Sequence, residues 1–305
     1  MSNVEMRKSI VSLMVMLVAS AALVSNLVHA YVLIPGPDVY VSPSTPEGGL
    51  TVTVISGVVF YDANVNGVRD DGEAGIEGCQ LRLYKHLNDV WTSLSPPTET
   101  DSEGHYTFFA GEGDYRVVVE VVPSEAWVQT APSGGYCETN AILGDHIGDN
   151  NFGIVYLTLG YGGKTIGFWG SKNGQSLITY SDVTALNRLN LYTPNGWNYP
   201  KFDTTDLAKA KTQIKNYLRN ATAVDMCWML SAQLIATKLN VLHGFLSNET
   251  RVYIESSRTF ITIGKIMENA YEALQGADRD AQEYWKNLLD WVNNNWLRFV
   301  IPNPP

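Results

Sequence analysis

The chain has 305 residues, a formal net charge of −10, 45% hydrophobic residues and 17% charged ones. That composition supplies apolar material for two cores of ordinary size and excludes a disordered or collagen-like chain. The acid excess, with no basic cluster to offset it, excludes phosphate-driven nucleic-acid binding and suits solubility and divalent cations.

Arg7 and Lys8 precede an apolar run from Ile10 to Val28, and Val28-His29-Ala30 has the small-x-small form of a cleavage site. Residues 1–30 therefore read as a signal peptide. The run is also near the length of a membrane span, so an uncleaved anchor is the other reading, and membrane contact is expected through this segment alone. Cleavage removes a net +1 and leaves −11. An extracellular or cell-surface location is expected. The chain's last residues, Ile301-Pro302-Asn303-Pro304-Pro305, show no LPxTG-type sorting signal.

Residues 31–49, with Pro35, Pro37, Pro43, Pro46, Gly48 and Gly49, read as an extended Pro/Gly-rich linker. Residues 50–156 carry short alternating or β-branched runs, among them 50–61, 80–84, 105–109 and 115–122, separated by Gly, Asp and Pro clusters. Several such strands predict a β-sandwich of the prealbumin or immunoglobulin kind. Residues 157–165 hold Gly160, Gly162 and Gly163 and read as a Gly-rich linker. Beyond them the period becomes helical. Leu207, Ala210, Ile214, Tyr217 and Leu218 make one stripe; Val224 to Leu242 is apolar nearly all round; Ile263 to Leu274 and Ala281 to Trp296 make two more. Residues 166–301 are thus expected to form a mainly helical domain of about four helices, the second of them central and buried. The turn-rich stretch 166–203, with Trp197 and Tyr199, gives no assignable element. Of three cysteines, Cys79 and Cys137 fall in the β region and are expected to pair, leaving Cys227 as a small buried residue of an apolar helix.

The strongest chemical signal is the run from Asp62 to Glu73, which fits D-x-[DN]-x-[DN]-G-x5-E at every position. Calcium takes six to eight hard oxygens. Asp62, Asn64 and Asn66 alternate around a tight turn, and Gly67 permits its sharp bend. Val68 offers a backbone carbonyl, Asp70 binds directly or through water, and Glu73 closes the shell. Strands rather than amphipathic helices flank the loop, so it is expected to clip strands together and not to open helices.

This loop, with Ser56-Gly57-Val58-Val59-Phe60-Tyr61 before it and Gly75-Ile76-Glu77-Gly78, Thr100-Asp101 through Phe108, Gly113 through Val117 and Asn151-Phe152-Gly153 after it, resembles the B-type repeat of serine-aspartate-repeat surface proteins. The resemblance spans about residues 50–155. It implies a calcium-binding, collagen-adhesin-B-like sandwich acting as a stalk or spacer, with Asp62, Asn64, Asn66, Val68, Asp70 and Glu73 as ligands and Asp101 and Asp149 at a further site. It departs from the pattern in having one repeat, no wall anchor, and no Lys in strand 50–61 for an internal isopeptide bond. The helical half resembles a module at the C-terminal end of secreted microbial proteins with no activity assigned to it.

Enzyme signals are weak. Gly163-Lys164-Thr165 lacks the earlier Gly of a phosphate-binding loop, and His86, His105, His146 and His243 have no metal-ligand spacing. No G-x-S-x-G elbow occurs. The expected function is therefore non-catalytic: a secreted or cell-surface structural or adhesive protein that presents a helical domain on a calcium-stabilised spacer. Its expected partner is an envelope or matrix component, protein or polysaccharide. The alternative is an extracellular carbohydrate-binding or carbohydrate-active protein, which Trp197 and Tyr199 beside a carboxylate-lined cleft would favour.

Overall fold

A computed structural model describes residues 52–94, 96–193, 196–197 and 201–303. The expected signal peptide at 1–30 and linker at 31–49 lie outside the described residues, as do Tyr199 and the side chain of Trp197.

The β-branched run after Val52 forms β1 (Thr53–Tyr61), and nine more strands follow before the first helix. They are β2 (Gln80–Leu87), β3 (Val90–Ser93), β4 (Thr98–Glu99), β5 (His105–Ala110), β6 (Gly113–Val121), β7 (Trp127–Ala131), β8 (Tyr136–Ala141), β9 (His146–Ile147) and β10 (Phe152–Leu159). β5 alternates exposed and buried residues without exception, the signature of a strand with one wet face. β2 and β3 meet through Asn88-Asp89, both at positive φ, a two-residue turn whose twist matches that of the strands. One sheet has β3-β2-β6-β8 with β4 beside β2. The other has β5-β1-β10, with β9 along β1 and β7 along β10. Between them lie Ile55, Val59, Leu81, Leu83, Phe108, Val117, Phe152 and Ile154, all buried. This is the predicted sandwich.

The helical half contains the four long helices the periodicity predicts. They are α4 (Leu207–Asn220), α5 (Met226–Leu242), α6 (Ile263–Gln275) and α7 (Arg279–Asn293). Three short ones precede them: α1 (Ile166–Gly170), α2 (Lys172–Leu177) and α3 (Tyr180–Leu186). Thr165, Ser171 and Thr179 cap these in turn. Five to seven residues are too few to show an amphipathic stripe, which is why 166–203 resisted assignment. A two-stranded ribbon, β11 (Tyr192–Thr193) with β12 (Gly196–Trp197), follows α3. α5 is apolar all round because it serves two cores. Ala232, Ile235, Ala236 and Leu239 pack with Trp169, Ile214 and Tyr217, while Leu230 and Leu234 pack with Ile266, Leu288 and Val292.

The expected linker at 157–165 differs from what is found. Leu157–Leu159 continue β10 and pair with β15 (Arg298–Val300), which in turn pairs with β13 (Arg251–Ile254) and through it β14 (Thr259–Thr262). The sheet that contains β1 thus runs β14-β13-β15-β10-β1-β5, through the sandwich and into the helical half. The glycines that suggested flexibility are tied down. Asn295 Oδ1 accepts from the backbone N–H groups of Tyr161, Gly162 and Gly163 at 3.1, 2.9 and 2.8 Å, and its Nδ2 donates to Gly163 O at 3.0 Å. Residues from Val52 onward pack as one unit.

A buried polar network locks the same joint. Asn240 of α5 accepts from Lys164 N and Trp169 Nε1, and donates to Lys164 O and to Asn293 Oδ1 of α7. Asn293 donates to Gln233, and Gln233 donates to Asp290. Each of these buried side chains has partners, which is the condition under which polar groups are tolerated in a core.

Candidate metal centre

Asp62 stands at the end of β1, where its backbone N–H donates to Ile154 O of the parallel neighbour β10 at 3.0 Å. Its side chain is fully buried. Oδ1 accepts from Asn66 N at 2.9 Å; Oδ2 accepts from Gly67 N at 3.0 Å and from Thr130 Oγ1 of β7 at 2.6 Å. Gly67, at φ 77°, makes the reversal that the motif requires of it. The loop then returns antiparallel to β1: Tyr61 N donates to Ala74 O, Ile76 N to Val59 O, and Phe60 bridges Gly75. Strands flank it on both sides, as expected.

The six sequence-predicted ligands are held on this one loop. Glu73 reaches back across it, Oε1 accepting from Ala63 N and Oε2 from Asp70 N, both at 3.1 Å. Asp70 Oδ2 accepts from the side-chain nitrogens of Asn64 and Asn66 at 2.6 and 2.8 Å. Asn64 Oδ1 accepts from Asn66 N, and Asn66 Oδ1 from Val68 N. Burial raises the pKa of the Glu73 carboxyl, and the charges of Asp62 and Asp70 raise it further. Mutual repulsion of carboxylates on one loop is what a bound cation relieves. The donor set fits a hard cation: three carboxylates, two carboxamides and the Val68 carbonyl on a tight turn. Two features stand apart from that fit. Asn64 and Asn66 present nitrogens to Asp70, and among the described residues no three His, Cys, Asp or Glu side chains are grouped closely enough to hold a metal ion. Asp101, expected at a further site, caps the turn before β5 by accepting from Glu103 N and His105 N. Asp149 lies in the turn before β10 at φ 61°.

The expected Cys79–Cys137 bridge is not formed; all three cysteines are free thiols. The register explains why. Val117 of β6 stands opposite Leu83 of β2 on one side and Cys137 of β8 on the other. Cys79 is four residues before Leu83, so two strand spacings and four residues separate the pair, on the order of 15 Å, where a disulfide needs Cα atoms within about 7 Å. Burial pushes both thiols up to about 11. Cys227 donates to Gln282 Oε1 at 3.2 Å from within the helical core. His243 sits at the C-terminal cap of α5, as a helix-end residue, with Nε2 3.0 Å from Asp182 Oδ2. Sequence reasoning missed Asn240, Asn293 and Asn295; for Asn240 the signal available was a polar residue inside an otherwise apolar helix, and Asn293 and Asn295, at and beyond the end of α7, carried none.

Part of the chain is similar to known proteins. Residues 53–145 match the SdrD B-like domain family. The match falls inside the stretch that carries the resemblance and includes the whole loop. The chain is similar to Colossin-B of Dictyostelium discoideum, 32% identical over an alignment of 100 residues that covers 29% of this chain and 3% of that protein. A streptococcal ancillary pilin is similar at 13% identity with a TM-score of 0.28, over 39% of this chain and 37% of that one. The chain spans only a small part of these relatives. No helix among the described residues is long and apolar enough to cross a membrane.

Proposed function

We propose that this chain is a secreted or cell-surface structural protein that works by binding or assembly, with the sandwich as a calcium-clipped spacer that carries the helical half. The observation that carries the reading is the loop 62–73, where Asp62, Asn64, Asn66, Asp70 and Glu73 share one tight turn between paired strands and bond its backbone or one another. Calcium there supplies charge neutralisation and cross-linking, and no activated water is required of it. Asp62 directly follows β1, and just beyond Glu73 the Ala74 carbonyl accepts from Tyr61 N, so both ends of the loop join β1 and the cation's effect is to fix strands. The SdrD B-like match supports a surface or extracellular setting.

Calcium that binds only the folded state stabilises it by mass action, about 2.7 kcal/mol at a hundredfold excess over Kd. The test is thermal unfolding of the full chain in millimolar calcium and in chelator. The reading expects a higher melting temperature with calcium, and Glu73→Gln should remove most of the difference. Superimposable curves would overturn the calcium clip. Steady release of sugar or peptide from envelope material would overturn the non-catalytic reading.

A further inference from the structure

An open cavity of about 620 Å³ lies on the outer face of the sheet that contains β1 and β5, beside the calcium-type loop. Arg69 of that loop lines it, with Ser56 of β1, His105 and Thr107 of β5, and Asp149 and Asn151 of the turn before β10. Among the described residues, the Arg69 guanidinium, the Asp149 carboxylate and the hydroxyls of Ser56 and Thr107 make no hydrogen bond or ion pair. The other two described arginines of the sandwich are paired, Arg82 with Glu120 and Arg116 with Glu138, and Lys85 lies over the Tyr115 ring. An unpaired guanidinium and an unpaired carboxylate on the wall of one cavity, with free hydroxyls between the strands below, call for a ligand that brings both an anion and donors.

The floor is rigid. β9 leaves β1 after Ile147 and β10 joins it at Phe152, and Asn150 plugs the gap between them. Its side chain is buried and donates to Ser56 O at 3.1 Å, with weaker bonds to Ile147 O and Gly148 O. Asn151 Oδ1 accepts from Val58 N at 2.9 Å, and the Tyr106 hydroxyl donates to Asn150 O. A Cβ on Gly57 would stand 2.1 Å from Asn150 O, so chain and turn are in direct contact. The backbone of β1 at Ser56–Val58 is thereby satisfied on both sides. A peptide cannot add as a strand there. Nor is there an apolar pocket for its side chains, since Val58 and Tyr106 are only 8% and 3% exposed.

We propose that this cavity binds a uronic acid unit of an acidic polysaccharide. The sugar carboxylate takes the fork of Arg69, the bidentate pairing for which a guanidinium is built. Ring hydroxyls donate to Asp149 and exchange bonds with Asn151, Ser56 and Thr107. Because Arg69 belongs to the loop 62–73, order in that loop sets its position. The inference rests on the reading of this chain as a binding protein. A net charge of −10 repels polyanions at long range, so affinity depends on short-range contacts.

The experiment is calorimetric titration of the full chain, with calcium present, using trigalacturonate, the neutral trigalactose counterpart and a short Glu-containing peptide. Saturable binding of the uronate is expected, with the neutral sugar at least about tenfold weaker, the loss of one charge-assisted pair. Arg69→Gln should weaken uronate binding by about the same factor while the melting temperature holds. Asp149→Asn, a residue that tolerates positive φ, should weaken it too. Absence of saturable uronate binding, an unchanged affinity in Arg69→Gln, or tighter binding of the acidic peptide overturns the proposal. Uronate bound and then cleaved leaves the site standing and overturns the non-catalytic reading instead. Uronate bound equally with and without a calcium effect on melting separates this site from the calcium clip.

Discussion

Asn240→Ala should cost the fold about 4 kcal/mol. The side chain is fully buried and makes four hydrogen bonds of 2.9 to 3.1 Å. Its removal orphans two donors, Lys164 N–H and Trp169 Nε1–H, and strips one partner each from Lys164 O and Asn293 Oδ1. Trp169 is itself fully buried, so its indole N–H has no route to solvent. An unsatisfied buried donor costs about 1–3 kcal/mol, and two of them bracket the expected loss; Asn293 Oδ1 keeps its bond from Thr237 and limits it. Water entering the vacated space would reduce the figure, and Asn240→Asp separates that case. The aspartate keeps both acceptor contacts but sets a carboxylate against two carbonyl oxygens, so it should become less destabilising as pH falls and the group protonates. Urea unfolding of the two variants at pH 7 and pH 5 is the assay. A loss below about 1 kcal/mol for Asn240→Ala, or no pH effect for Asn240→Asp, would refute the network as a source of stability.

The shared strand β10 predicts that residues 52–303 unfold in one transition. Far-ultraviolet dichroism and tryptophan fluorescence should give coincident urea curves, and two resolved transitions would contradict the continuous sheet. Gly75→Ala should destabilise by about 3 kcal/mol or more, because its Cβ would stand 1.8 Å from Glu103 O; Gly72→Ala, with open space but φ at 91°, should cost about 1 kcal/mol. Alkali should weaken the fold. Burial pushes the thiols of Cys79 and Cys137 up to about 11 and the Tyr61 phenol to about 12, from 9.0 and 10.0. The unfolded chain loses these protons first, so the stability from keeping them neutral is complete below the unfolded values and is lost as pH rises through the folded ones. Urea midpoints should therefore fall from about pH 9 towards pH 12, and a flat profile would count against it. Cys79 and Cys137 should also resist alkylation in the native protein at pH 8 and react once it is unfolded; a native mass two hydrogens short would restore the disulfide.

What the sequence made legible follows from where its signals are local. The loop 62–73 was readable because every residue type of the motif falls at a fixed offset within twelve residues. The sandwich strands and the four long helices were readable because period 2 and period 3.6 each persist long enough to be seen. The rest depended on partners far along the chain. Arg298–Val300 reads as a three-residue tail, and only its pairing with Leu157–Leu159 makes it a strand. The glycines at 160, 162 and 163 carry the composition of a linker, and a single carboxamide from Asn295 removes their freedom. Cys79 and Cys137 lie in one domain, yet β6 passes between their strands. The groove at Arg69 and Asp149 joins residues eighty positions apart, and no motif marks it.

The calcium-type loop and the C-terminal strand meet at one point, and this joins the two halves of the chain mechanically. Asp62 directly follows Tyr61, the last residue of β1. The Tyr61 hydroxyl donates to Ile301 O at 2.6 Å, just beyond β15, and its ring meets Trp127 edge-on at 5.8 Å beside β10. Thr130 of β7 binds the Asp62 carboxylate, and β7 pairs with β10 on the edge away from β1. Asp62 therefore touches β7 and β10, and its neighbour Tyr61 reaches the chain just beyond β15, which pairs with β10 and donates from Arg298 to Glu125 O of the sandwich. A cation in that loop, on the reading proposed above, would fix Asp62 and with it the anchor of the C-terminal strand. Calcium should then slow amide exchange in Leu157–Leu159 and Arg298–Val300 as well as in residues 62–73. Tyr61→Phe should abolish the distant part of that protection and leave the local part, because the phenol is the one side-chain bond from this point to the chain beyond β15 among the described residues. Protection confined to the loop in the unmodified chain would show that the clip and the joint are independent.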